Sequence, residues 1–119
     1  MIKFKNLTPH TVGFQMPDGQ ILTFPSEGLA RVDVLPGEAR EIKLWNGQTM
    51  PVNPPVKYGA VVGLPEPDGE TVFIVSLIVI TQPSVAGRTD VIAPATGPKD
   101  GAIRDAGGQI AAVTRWVAA

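Results

Sequence analysis

The stretch TVFIVSLIVITQPSVAG, residues 71–87, holds no charged side chain, and the reading of the whole fold turns on it. Thr71 to Ile80 is almost entirely β-branched, aromatic or otherwise apolar, which favours an extended strand over a helix. Side chains of a strand alternate between its faces. One face would carry Val72, Ile74, Ser76, Ile78 and Ile80, the other Phe73, Val75, Leu77 and Val79. Both are apolar, so the expectation is a central strand with protein packed on each side. Ser76, the only polar side chain from Val72 to Ile80, reads as a core serine bonded to a neighbouring carbonyl. The run is too short for a membrane helix, which needs roughly 20 apolar residues.

Outward from this stretch the chain is punctuated by turns. Twelve prolines and thirteen glycines in 119 residues suit a turn-rich β protein and would damage helices. Pro17-Asp18-Gly19 turns the chain between strands at Thr11–Gln15 and Gln20–Phe24. Leu29 to Val34 alternates, with Ala30, Val32 and Val34 inward. Pro36-Gly37 then sends Arg40 to Trp45 back, with Ile42 and Leu44 inward. Asn46-Gly47 is a strong hairpin signal. Met50 to Pro55 contains three prolines, which confines it to an edge or a loop. Lys57 to Gly63 reads as a strand, Gln82 to Gly87 as a connection, and Thr89 to Ile92 as a short strand ended by Pro94; a short helix at Pro83 to Arg88 is the alternative there, but nothing caps it. Ile103 to Val117 reads as a hairpin turning at Asp105 to Gly108, with a long second strand from Gln109. These signals predict an all-β single domain over residues 1–119, a small barrel or sandwich of short antiparallel strands with a buried central strand near 71–80.

Composition excludes several function classes. No cysteine is present, so there are no disulfides, thiolate metal sites or cysteine nucleophiles. One histidine and scattered carboxylates lack metal-ligand spacing, and no metal or cofactor is expected. A net charge of −1 from ten basic and eleven acidic residues gives no electrostatic reason for a nucleic-acid or membrane partner. The start, Met1 to Lys5, shows no signal-peptide core.

Few residues remain that carry chemistry. His10, the lone histidine, has the only side chain titrating near neutrality; it follows Thr8-Pro9 at a strand interruption. The plainer reading is a histidine satisfied by the backbone. A triad of Ser76, His10 and Asp90 can be written, but Ser76 lacks the glycines of a nucleophile elbow. Asp18 and Asp68 lie in Pro-Asp-Gly turns, which explain them. Arg88 and Asp90, two apart, share a strand face and suit either a phosphate or carboxylate grip or a structural pair. Arg104-Asp105 offers the same choice, with turn chemistry favoured. Trp45, Tyr58 and Trp116 are the aromatics expected to be partly exposed, able to stack on a base or sugar.

Asn6-Leu7-Thr8-Pro9-His10, Gly63-Leu64-Pro65, Ile74-Val75-Ser76, the Arg-x-Asp-Val-x-x-Pro segment from Arg88 to Pro94 and the Arg-Asp-x-x-Gly segment from Arg104 to Gly108 together resemble a group of small, mostly uncharacterised phage and prophage proteins. The last strand departs from that group by carrying Ala111-Ala112-Val113 in place of small polar residues. The resemblance implies a viral origin, and for a protein of this size a role in blocking host defence or in building the particle. Sequestration of a host signalling nucleotide in the host cytoplasm is one such role. It would set His10, Arg88 and Arg104 on phosphates, Thr8 or Asp90 on ribose hydroxyls and Tyr58 over the base. The expectation is thus a self-associating domain that binds a small, nucleotide-type ligand without turnover. The rivals are a virion assembly module and a hydrolase using His10.

Overall fold

The structure, a computed structural model, describes residues 2–119; Met1, where the expected absence of a leader begins, lies outside them. In chain order the strands are β1 (Lys3–Asn6), β2 (Val12–Gln15), β3 (Ile21–Phe24), β4 (Arg31–Leu35), β5 (Arg40–Lys43), β6 (Thr49–Val52), β7 (Lys57–Val62) and β8 (Thr71–Ile74). A single helical turn, α1 (Leu77–Ile80), precedes β9 (Val91–Pro94), β10 (Ile103–Arg104), β11 (Ile110–Ala112) and β12 (Trp116–Ala118).

The all-β expectation holds. The central sheet, however, is an open one ordered β1-β8-β9-β12, and among the described residues no sheet closes into a barrel. Its first three strands run parallel, which corrects the expected antiparallel architecture; only β12 runs against its neighbour β9. The remaining pairs are antiparallel ribbons: β2 with β3, β4 with β7, β5 with β6 and β10 with β11.

The stretch at 71–80 is central but is not one strand. Phe73, Ile74 and Val75 are buried on both faces, as a doubly covered strand requires. Ser76 then takes extended backbone angles, and its carbonyl accepts from the N–H groups of Val79 (3.1 Å) and Ile80 (3.3 Å). Serine suits the residue before a helical turn. In that turn Val79 and Ile80 point inward while Leu77 and Ile78 face outward. A uniformly apolar run has no period to separate strand from buried helix, so tertiary packing decides. Val79, Ile80 and Val85 join Phe73, Val75, Val91 and Ala93 in the core on one face of the sheet. Beside Phe4 of β1, the β2–β3 hairpin and β12 contribute an aromatic cluster. The ring centroids of Phe4 and Phe24 lie 5.2 Å apart, and Phe14 stacks on Trp116 at 5.1 Å. The long final strand is likewise interrupted, splitting into β11 and β12 around Thr114-Arg115.

The middle of the chain differs most from expectation. β4 does not fold back onto β5; it pairs with β7, and β5 with β6, so the two hairpins nest. Pro36-Gly37 and Pro54-Pro55 face each other across the ribbon, the Pro54 ring lying where a side chain on Gly37 would be. Only the inner end of the ribbon reaches the core, through Val32 and Val61. Val34 and Ile42, expected inward, are exposed, and Leu44 is half-buried. The molecule measures 64 × 38 × 22 Å.

Candidate functional site

β1, β8 and β9 are parallel, so their carboxyl ends lie along one edge of the sheet. There the chain leaves β1 through Leu7–Thr11, β8 through Val75-Ser76, and β9 through Ala95-Thr96. These exits enclose a cleft of about 450 Å³ lined also by Val12 and Gly13 at the start of β2 and by Ile110 to Val113. The volume is that of a small-molecule site, and the carboxyl edge of parallel strands is where such ligands settle in α/β sheets.

Asn6 shapes this edge. Its side chain is fully buried at the end of β1 and spends every polar atom on the loop. Nδ2 donates to the carbonyls of His10 (2.8 Å) and Phe24 (2.7 Å). Oδ1 accepts from the Thr8 N–H (2.9 Å) and the Thr8 hydroxyl (2.6 Å). The Thr8 Oγ1 also lies 2.9 Å from the His10 carbonyl, so its single proton has two acceptors in reach. The Ser26 hydroxyl donates to the Thr8 carbonyl at 2.6 Å. On either side, the Leu7 N–H reaches the Ile74 carbonyl and the Leu7 carbonyl receives the Ala30 N–H. Asn6 to Thr8 is therefore pinned from three directions, and Pro9-His10-Thr11 is held out at the cleft as exposed residues.

Opposite, Ser76 is partly exposed, and its hydroxyl makes no bond to the helical turn that follows. In place of the bonded core serine expected from sequence, Ser76 is a partly exposed residue on the lining of the cleft. Thr11 and Thr96 add further polar side chains to Thr8, His10 and Ser76, and Pro9, Val12, Leu77, Pro94 and Ile110 make the walls largely apolar. Among the described residues no lysine, arginine, aspartate or glutamate lines the cleft. Gly13 sets its width: a Cβ there would lie 2.7 Å from the Ala111 carbonyl oxygen, so only glycine lets β2 and β11 approach this closely.

The residues singled out from sequence divide by location. Thr8 and His10 meet at the cleft, Thr8 as a buried member of the Asn6 network. Arg88 and Asp90 precede β9, at the amino end of the same sheet, a strand length of roughly 13 Å away. Arg88 Nε and Nη2 donate to the two Asp90 carboxylate oxygens at 3.0 and 2.7 Å, and Nη2 also donates to the Pro65 carbonyl at 3.0 Å. The Arg88 hydrogen bonds, with the guanidinium charge, hold the Asp90 carboxyl below its ordinary range, and the same pairing raises Arg88. The fork is thus filled from within the chain, as in the structural alternative. Arg104 sits on β10 and donates to the Gly108 carbonyl across its hairpin turn (2.9 Å). Tyr58 lies on β7, out on the ribbon. Asp68 is held by turn chemistry: its carboxylate accepts from the N–H groups of Glu70 and Thr71 and from the Thr71 hydroxyl, which lowers its pKa.

Asn6, Gly13, Ser76 and Thr96 are site residues that sequence reasoning did not assign. Asn6 had a readable signal, an asparagine two residues before a Thr-Pro break, where its side chain can bond the backbone ahead. Among the described residues no helix is long and apolar enough to cross a membrane, and no three His, Asp or Glu side chains gather where they could hold a metal ion. Compared with known protein families, with curated proteins and with solved structures, the chain matches none.

Proposed function

We propose that this chain is a binding protein that holds a small, flat, hydroxyl-bearing molecule of the nucleoside type in the cleft at the carboxyl ends of β1, β8 and β9 and releases it unchanged. The observation that carries this is the cleft itself: a pocket of ligand size with apolar walls and a few converging polar groups, His10, Ser76 and Thr96. The walls favour a heterocycle and the polar groups its hydroxyls and ring nitrogens. Without a lysine or arginine on the lining, any phosphates of a nucleotide ligand point away from the walls. The company His10 keeps supports binding without turnover: among the described residues no carboxylate lines the cleft to orient its imidazole as a general base. The resemblance to phage and prophage proteins directs the role toward removal of a host signalling compound in the host cytoplasm.

The test is a thermal-stability panel of nucleosides, mononucleotides and cyclic dinucleotides, followed by recovery of the compound after denaturation. A ligand at 100 times its Kd adds about 2.7 kcal/mol, or roughly 10 °C for a chain this long. His10→Ala should remove much of that shift while leaving the unliganded melting point in place. No shift anywhere in the panel refutes the reading; a shift with the compound consumed moves it to the hydrolase alternative. A virion assembly module is the second reading, favoured by the projecting ribbon, and it predicts the chain among the proteins of purified particles.

A further inference from the structure

We propose that the ribbon from Arg31 to Val62 is an interface through which two copies of this chain associate. The chain has more surface than a compact monomer of its size. The chain exposes 8260 Å², whereas a compact monomer of 12.5 kDa exposes about 6,200 Å². The excess, about 2,100 Å², falls within the roughly 1,000–2,500 Å² that each subunit buries in an obligate interface. Shape agrees: the radius of gyration is 18.6 Å, against roughly 13–14 Å for a compact chain of this length.

The ribbon also shows apolar side chains to solvent. In the β4–β7 register Val34 stands opposite Tyr58, and in the β5–β6 register Ile42 stands opposite Met50. Residues opposite each other on antiparallel strands share a face, so these are two apolar pairs, and all four side chains are exposed. Trp45 at the ribbon tip is 92% exposed. Beyond Val32 and Val61, which pack on the core, the ribbon thus carries apolar pairs outward that are left open to solvent. Each of the four strands pairs with one neighbour only and leaves its other edge open. An isolated two-stranded ribbon is marginal in water, and exposed edges pair readily with another chain.

The charge pattern of the ribbon suits a second copy of the chain. Four basic and three acidic residues are interspersed from Arg31 to Val62. This near-neutral, mixed pattern is not repelled by its own copy and gives no field to attract a strongly charged partner. A second copy also supplies matching open edges and apolar pairs through a two-fold axis.

Sedimentation equilibrium of the full chain at about 50 μM tests this. The expected mass is twice 12.5 kDa. Val34→Asp and Met50→Asp, both at exposed positions, should each weaken association at least about tenfold while the circular dichroism stays that of the parent. Ile21→Asp, at an exposed apolar residue of the β2–β3 hairpin, should leave the mass unchanged. Hydrogen exchange on the unaltered chain guards against misfolded variants: protection should rise with concentration across Arg31 to Val62. A folded chain that stays monomeric, variants as dimeric as the parent, or concentration-dependent protection outside the ribbon would each overturn the proposal.

Discussion

Replacing Asn6 probes the site's construction most sharply. Asn6→Ala deletes the amide that bonds the His10 and Phe24 carbonyls and the Thr8 N–H and hydroxyl. The Thr8 hydroxyl can turn to the His10 carbonyl 2.9 Å away, which satisfies both of those groups. The Thr8 N–H and the Phe24 carbonyl each lose the Asn6 partner. At about 1–3 kcal/mol for each, the loss is about 2–6 kcal/mol, a large share of the 5–15 kcal/mol that holds a domain together. It lowers the melting temperature by roughly 8–24 °C. Asn6→Asp separates donors from acceptors. The introduced carboxylate keeps the acceptor that Thr8 needs but turns an oxygen toward two carbonyl oxygens. At neutral pH it should destabilise at least as much as alanine. Burial and the facing carbonyls raise the introduced group's folded pKa, so part of the loss should return as the pH falls through that raised value and the carboxyl regains a proton to donate. Urea melts of both variants between pH 4 and 8 decide it. Asn6→Ala within about 0.5 kcal/mol of the parent, or Asn6→Asp indifferent to pH, would refute the network as the support of His10.

Arg88→Ala strands the Asp90 carboxylate and removes the bond to Pro65; a loss of about 1–2 kcal/mol is expected in urea melts, with ligand affinity at the cleft unchanged. Asp90 binds its proton less tightly folded than unfolded, so its stabilisation is complete above about pH 4 and drains away as the pH falls through the lower folded value. Asp90→Asn should therefore flatten the acid limb of the stability profile, and an unchanged limb would contradict this. Gly63 has φ +88°, and a Cβ there would lie 2.3 Å from the Leu29 carbonyl oxygen. Gly63→Ala should lose about 2–4 kcal/mol and loosen the base of the ribbon, seen as faster hydrogen exchange in β4 and β7. Gly13→Val should force β2 and β11 apart, distort the cleft and lower affinity at least about tenfold, a change measurable by calorimetry.

What the sequence disclosed was local. The turns at Asp18-Gly19, Asn46-Gly47 and Asp105 to Gly108 are set by residues adjacent in the chain, and the hairpins they close are found where expected. The partnership of β1 with β8, and of β4 with β7, joins segments far apart in sequence whose short apolar patterns fit several partners equally well. Pro36-Gly37 reads as a turn in isolation but sits in the ribbon opposite Pro54. Ser76 was the one interruption in an otherwise uniform run, and it marks where strand gives way to helix. Of the site, His10 and Thr8 were legible because a Thr-Pro break must place its neighbours at a strand end. Thr96 and Ile110 were not, since only the folded sheet brings their loops to that edge. The charges of Arg88 and Asp90 suggested a ligand grip in sequence and satisfy each other in space.

Amide chemical shifts recorded while a nucleoside that stabilises the chain is added offer the most direct measurement. The account predicts shifts concentrated at Thr8 to Gly13, Ser76-Leu77, Thr96 and Ile110 to Val113, with Arg88 and Asp90 still. Shifts centred on Arg88 and Asp90, or spread along the ribbon with the cleft silent, would contradict it.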